Sequence, residues 1–249
     1  MKQTRFLMGM HVTVEVVDEG FNQKHIDEVY GYFRYIDDKF STYKETSEIS
    51  LINNNLLPAS RYSRDMTVVL SLCELTRRDT DGYFDIRHDG RLDPSGLVKG
   101  WAIWNAANIL RQRGAESFYV DAGGDVQVAG RNAEGQPWRV GIRNPFDESE
   151  IVKVLSLRDE GIATSGTACR GQHIYNPHRP GETIAGIVSI SVIGPNVYEA
   201  DRFATAAFAM GPSGIHFIEN LPGFEGYMID RNGTATYTSG FARYAVPAA

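Results

Sequence analysis

"LDPSGLVKGWAIWNAANILRQRGAESFYVDAGGDVQVAG", residues 92–130, contains both kinds of structure that the rest of the chain repeats. Its first half reads as a helix. Asp93 and Pro94 stand where a short acid and a fixed φ favour a helix start, and Gly114 stands where a helix stops. Beyond Ser117 the pattern changes to short β segments around Gly123-Gly124, a pair that signals a tight turn or bulge.

Toward the N-terminus, residues 5–17 read as a strand. "NQKHIDEVYGYFRYIDDKF" then carries Ile26, Val29, Tyr30, Phe33 and Ile36 at helical spacing. "FSTYKETSEISLINNN" predicts a loop and a short helix capped by Thr46 or Ser47. "SRDMTVVLSLCELTRRDTDG" predicts a further helix that stops at Gly82. Toward the C-terminus, "WRVGIRNP", "IVKVLSL", "GIATSGT" and "AGIVSISVIG" read as strands separated by Gly, Asn and Pro turns. Two helices follow, around 197–210 and 213–220, and the end predicts a hairpin at Asn232-Gly233. With no clear linker or repeat, the expectation is one α+β domain over 1–249, mixed β-sheets flanked by helices.

Bulk composition narrows the function. The chain has 249 residues, 42% hydrophobic and 22% charged, enough to bury a sizeable core. A net charge of −6 argues against broad binding to nucleic acid or anionic membranes, although a local basic cleft could hold a phosphorylated ligand. No apolar run reaches the length of a membrane span. The opening "MKQTRFLMGMHVTVEV" lacks a signal-peptide pattern, so a cytoplasmic location and free thiols at Cys73 and Cys169 are expected.

Several stretches carry chemistry-bearing residues. In "YEADRFATAAFAMG", residues 198–211, Asp201 and Thr205 share one side of a helix otherwise built for burial. A buried carboxylate costs several kcal/mol unless compensated, so a cap, a basic partner such as Arg202, or a bound cation is required. Around Gly96 the helix start could merely be capped by Asp93 and Ser95. Alternatively it could receive phosphates or a cation, with Gly96 allowing close approach and Lys99 one turn in. "IATSGTACRGQHIYNPHRPG" is either a polar hairpin or an anion or flavin contact with His173 as a general base. Tyr43 lies in a polar loop, either half-buried or set to stack on a flat heterocycle.

Taken in order, these segments resemble the ApbE family, the FAD:protein FMN transferases. "FLMGMHVTVEV" is similar to the family's opening MGT strand, "FSTYKETSEISLIN" to its S-x-Y/W…SEI…N segment, "GYFDI" to its aromatic-Asp motif and "LDPSGLVKGWA" to its DLGGIAKGYA helix start. "DAGGDVQVAG", "WRVGIRNP", "ATSGTACR", "HIYNPHRPG" and "ADRFATAAFAMG" follow in register. The resemblance implies a T-fold-related domain with a flavin site in a central cleft. It implies Mg²⁺ held by Asp201, Thr205 and the Gly96 carbonyl. Flavin contacts fall on Met8, Tyr43, Tyr83, Phe84, Asp85, Asp93, Lys99, His173 and Ile174, with Asp201 and His173 in catalytic roles.

The same resemblance implies FAD as substrate, with FMN passed to a Thr or Ser hydroxyl of an acceptor flavoprotein and AMP released. It leaves room for a homodimer. Two other expectations are open: hydrolysis of FAD to FMN and AMP, or flavin binding without turnover. This chain departs from the family pattern in three places. Only "RHDGR" joins "FDI" to "LDPSG", where longer members carry an insertion; Arg87 stands where Thr is common; and Asn176 replaces the usual Asp.

Overall fold

Side-chain caps open most helices in the computed structural model, which describes residues 1–167 and 174–246. Asn22 caps α1 (Gln23–Phe40), Ser47 caps α2 (Glu48–Asn53) and Ser63 caps α3 (Arg64–Asp79), each accepting a backbone N–H of the first turn. At α4 (Ser95–Gln112), Asp93 Oδ1 instead accepts the Ser95 N–H at 3.0 Å, just outside the helix. Asn196 caps α5 (Val197–Ala209), and α6 (Gly214–Glu219) follows a single 3₁₀ turn.

The strand expected over 5–17 is a hairpin, β1 (Lys2–Leu7) and β2 (Met10–Val16). Met8 and Gly9 take φ of +54° and +71°, the pair of positive values that a two-residue turn needs. Met8 is not a turn-forming residue type, so the apolar run hid the break.

The remaining strands are β3 (Arg87–His88), β4 (Arg91–Leu92), β5 (Phe118–Ala122), β6 (Asp125–Ala129), β7 (Trp138–Asn144), β8 (Asp147–Leu157), β9 (Gly161–Gly166), β10 (Ile187–Gly194), β11 (Glu225–Asp230) and β12 (Ala235–Tyr237). Together with β1 and β2, six of these form one eight-stranded antiparallel sheet in the order β1-β2-β5-β6-β9-β10-β11-β12. The pairs β3-β4 and β7-β8 are separate hairpins.

Three apolar clusters hold these layers together. One packs α1 and α4 on the β2-β5 half, around Tyr30, Phe33, Leu97 and Ile103. Another packs α5 and α6 on β10, around Ala204, Phe208 and Ile218. The third lies between β7-β8 and the opposite face of the sheet, around Trp138, Leu155 and Phe241. Cys73 is a buried free thiol on α3, its pKa pushed up to about 12 by burial, whereas Cys169 lies outside the described residues. Among the described residues no helix is long and apolar enough to cross a membrane.

The join between the two halves of the sheet positions the site. Buried Gln127 on β6 accepts the Val197 N–H at 2.9 Å through its side-chain oxygen, tying the start of α5 to the middle of the sheet. A Cβ on Gly161 would stand 2.0 Å from Val197 N, so glycine alone lets β9 pass under that helix start.

Candidate active site

Helices α4 and α5 meet along a seam of glycines. A Cβ on Gly100 would fall 2.5 Å from Asp201 Cβ and 2.8 Å from Val197 O, and one on Gly96 would fall 3.0 Å from Thr205 Cγ2. Gly96 and Gly100, one helical turn apart, thus open the face against which Asp201 and Thr205 rest. The Gly100 N–H donates to Asp201 Oδ2 at 2.7 Å, and the Thr205 hydroxyl donates to Gly96 O at 3.1 Å. Ser165 Oγ on β9 lies 3.4 Å from Thr205 Oγ1.

Charge is concentrated here. Asp201 is 2% exposed and Asp125 is 1% exposed. The Lys99 ammonium sits 2.6 Å from Asp125 Oδ2 and 3.9 Å from Asp201 Oδ1. Asp125 Oδ1 accepts the Thr164 N–H at 3.0 Å. Burial pushes the Asp201 carboxyl up to about 7, with Lys99 opposing the rise and the neighbouring Asp125 adding to it. Among the described residues, the Lys99 ammonium thus stands between two buried carboxylates.

The seam forms the floor of a cleft of about 470 Å³. Tyr83, Phe84, Asp85, Asp93, Lys99 and Ile174, all expected at the site, line it together with Gly96, Asp201 and Thr205. Tyr175 braces one wall: its hydroxyl donates to the Asp85 and Arg87 carbonyls, and its ring stacks on His88 with centroids 4.0 Å apart. The short "RHDGR" joint is thus the β3-β4 hairpin, folded against that wall.

Two expected contacts lie elsewhere. Tyr43 is 93% exposed and is not among the cleft-lining residues. Met8 occupies the β1-β2 turn and packs on the core, while its neighbours Gly9 and Met10 reach the cleft. His173 lies outside the described residues. Arg202, weighed as a partner for Asp201, instead pairs with Asp79 and Glu199, each at 2.7 Å.

Sequence reasoning missed Asp125 and Asp121. Asp121 also lines the cleft, accepts the Gly124 N–H at 2.9 Å, and has its pKa raised by burial. The available signal was an acid opening "DVQVA", a strand buried at every position. Arg143 on β7 and Thr164 on β9 line the same cleft; they lie in "WRVGIRNP" and "ATSGTACR", stretches that resemble the family's, but were not among the expected site residues.

Comparison with known proteins places this architecture. The ApbE family model matches residues 8–89 and 86–228. The FAD:protein FMN transferase of Escherichia coli K12 is 31% identical over 156 residues, covering 59% of this chain and 44% of that protein. The Haemophilus influenzae protein of the same name is 23% identical, covering 93% of this chain and 87% of its own. This chain thus spans under half the length of the Escherichia coli relative. Among solved structures, the flavin transferase ApbE from Vibrio cholerae superposes with a TM-score of 0.84 at 22% identity, over 98% of both chains. The ApbE protein from Thermotoga maritima gives 0.87 at 20% identity over 99% of both. With the family model matched along most of its length, the chain belongs to the ApbE family.

Proposed function

We propose that the protein is a FAD:protein FMN transferase that moves the FMN portion of FAD onto a threonine or serine hydroxyl of an acceptor flavoprotein and releases AMP. The observation that carries this reading is the α4-α5 seam, where Gly96, Asp201 and Thr205 present only oxygen donors on the cleft floor beside Lys99. The names of the relatives supply the substrate class.

The donor set fits a hard cation. Carboxylate, hydroxyl and backbone carbonyl are the ligands that Mg²⁺ takes, and Asp201 is too buried to stay ionised cheaply without one. Gly96, Asp201 and Thr205 would hold it. When bound, Mg²⁺ would neutralise charge on the diphosphate and on the departing AMP.

The chain's own groups do the rest. Lys99, anchored by Asp125, points an ammonium at the diphosphate. Tyr83, Phe84 and Ile174 supply apolar cleft wall for the flavin, and Asp85 and Asp93 polar contacts to it. The acceptor hydroxyl oxygen forms a new bond to the FMN phosphorus. The bond from that phosphorus to the bridging oxygen breaks, and its electron pair leaves with AMP. The hydroxyl proton passes to a base, either the His173 imidazole that the family resemblance offers, which lies outside the described residues, or an oxygen of the substrate. Positioning and electrostatics provide most of the rate, as in other phosphoryl transfers.

Incubation with FAD, Mg²⁺ and a candidate acceptor protein tests the proposal, with mass spectrometry reading the FMN adduct. Adduct formation with matching AMP release is expected. AMP release that is equal with and without acceptor, and no adduct, would replace the transferase with a FAD hydrolase. Retained FAD without AMP release would make the chain a flavin carrier.

A further inference from the structure

The eight-stranded sheet ends at the three-residue β12 on one side and at β1, twice as long, on the other. Among the described residues β1 pairs only with β2. Its register fixes which backbone groups are used. Leu7 lies opposite Met10 across the Met8-Gly9 turn, and the pair flanking such a turn exchanges ladder bonds. At the other end Met1 and Val16 do the same, with the Val16 N–H donating to Met1 O at 2.8 Å and the Met1 ammonium donating to Val16 O. Bonding residues of β1 are therefore the odd-numbered ones. Lys2, Thr4 and Phe6 turn their N–H and C=O groups away from the sheet.

Side chains divide in the same rhythm. Arg5 covers the Tyr30 ring and pairs with Asp27, both on α1. Lys2, Thr4 and Phe6 lie on the other face, against Glu15, Thr13 and His11. Phe6 is 66% exposed and, with Gly9 and Met10, lines the cleft. Proteins usually blunt an open edge with charge, proline or a bulge. Here the open edge runs, without proline or bulge, into the cleft beside an exposed aromatic ring.

We propose that β1 takes an extended segment of the acceptor flavoprotein as an added strand, which carries the target hydroxyl past Phe6 into the cleft. This rests on the transferase reading and names where the second substrate docks. Main-chain hydrogen bonds to Lys2, Thr4 and Phe6 supply sequence-tolerant affinity, and Phe6 favours an apolar neighbour of the target residue. The occupant is the acceptor, since the edge leads to a cleft whose reaction needs a nucleophile from outside the chain.

The test compares Thr4→Pro with Thr4→Val. Both lose the Thr4–Thr13 hydroxyl contact, but only proline deletes the outward N–H, leaving the inward ladder bonds of positions 3 and 5 intact. The KM for acceptor should rise roughly tenfold in Thr4→Pro relative to Thr4→Val, the effect of one or two lost hydrogen bonds. AMP release from FAD in water, without acceptor, should be the same in both variants. An acceptor peptide N-methylated at alternate residues adds an arm that needs no protein variant. One methylation parity should abolish transfer by the wild-type chain and the other should spare it.

Equal acceptor KM in the two variants, or equal transfer with both parities, overturns the docking proposal. So does a Thr4→Pro chain that merely shifts from dimer to monomer with its acceptor KM unchanged, which would assign the edge to a second copy. A wild-type chain that attaches FMN to no acceptor removes the transferase reading, and the docking proposal with it. Failure of the docking proposal alone leaves wild-type transfer intact.

Discussion

The α4-α5 seam and the β1-β2 hairpin border the same cleft and are built on opposite principles. At the seam, glycines let two helices approach until Asp201 and Thr205 touch backbone of the facing helix. At the hairpin, Phe6 and the outer groups of β1 face solvent. On the transferase reading proposed above, the contrast separates two tasks. Phosphoryl chemistry needs oxygens fixed against a developing charge, and close packing fixes them. Recognition of a partner needs open groups that something else completes.

The largest effect should come from removing the seam's Asp201 carboxylate. Asp201→Ala should lower Mg²⁺-dependent AMP release by roughly a thousandfold, about 4 kcal/mol, the scale of a lost metal contribution. Flavin fluorescence titration should show a smaller loss of FAD affinity. Activity near wild type would remove Asp201 from the cation site.

Asp125→Asn asks whether the seam is one electrostatic unit. Breaking the pair with Lys99, whose acid is fully buried, should cost about 3 kcal/mol or somewhat less given the partly exposed ammonium, read as a fall in urea midpoint. Gly100→Ala tests the same seam through sterics alone. Its Cβ would meet Asp201 Cβ and the Val197 carbonyl, so overpacking should cost about 1–3 kcal/mol. Unchanged thermal stability would mean that the helices are not locked at this point.

The raised Asp201 pKa gives a pH test. Its folded value lies above the ordinary carboxylate value of 3.8, so between about 4 and 7 the native state binds more protons than the unfolded state. Stability from this group should therefore fall as pH rises through that window. Mg²⁺ should raise the Tm more at pH 8 than at pH 5, because protons compete for the same carboxylate. Asp201→Asn should flatten both trends.

The smallest effect belongs to the exposed surface. Tyr43→Ala should change stability by less than about 0.5 kcal/mol, since the side chain is almost wholly solvated. A raised KM for FAD in that variant would restore the flavin contact that the family resemblance implies.

Much of this molecule was legible in one dimension because its signals are local. Ser47, one of two expected caps, opens α2, and the spacing of Ile26, Val29, Tyr30 and Phe33 marks the buried face of α1. Asp201 and Thr205 stood out because a carboxylate on an apolar helix face demands a partner. The Met8-Gly9 break was hidden because a methionine with positive φ leaves no compositional trace. Asp125 was hidden because an acid beside two glycines looks like any exposed turn until the sheet buries it.

The sequence by itself determined the helices and most strands, because caps and hydrophobic periods act over one or two turns; Gly96, Asp201 and Thr205 as a proposed oxygen-ligand set came from the family resemblance. Only the tertiary structure decided that Gly100 touches Asp201, 101 residues away, and that Lys99 is shared between Asp201 and Asp125. It also left Tyr43 outside the cleft and brought Phe6 to its mouth. These are contacts between elements set by close packing and strand order, and no local pattern encodes the distance between them.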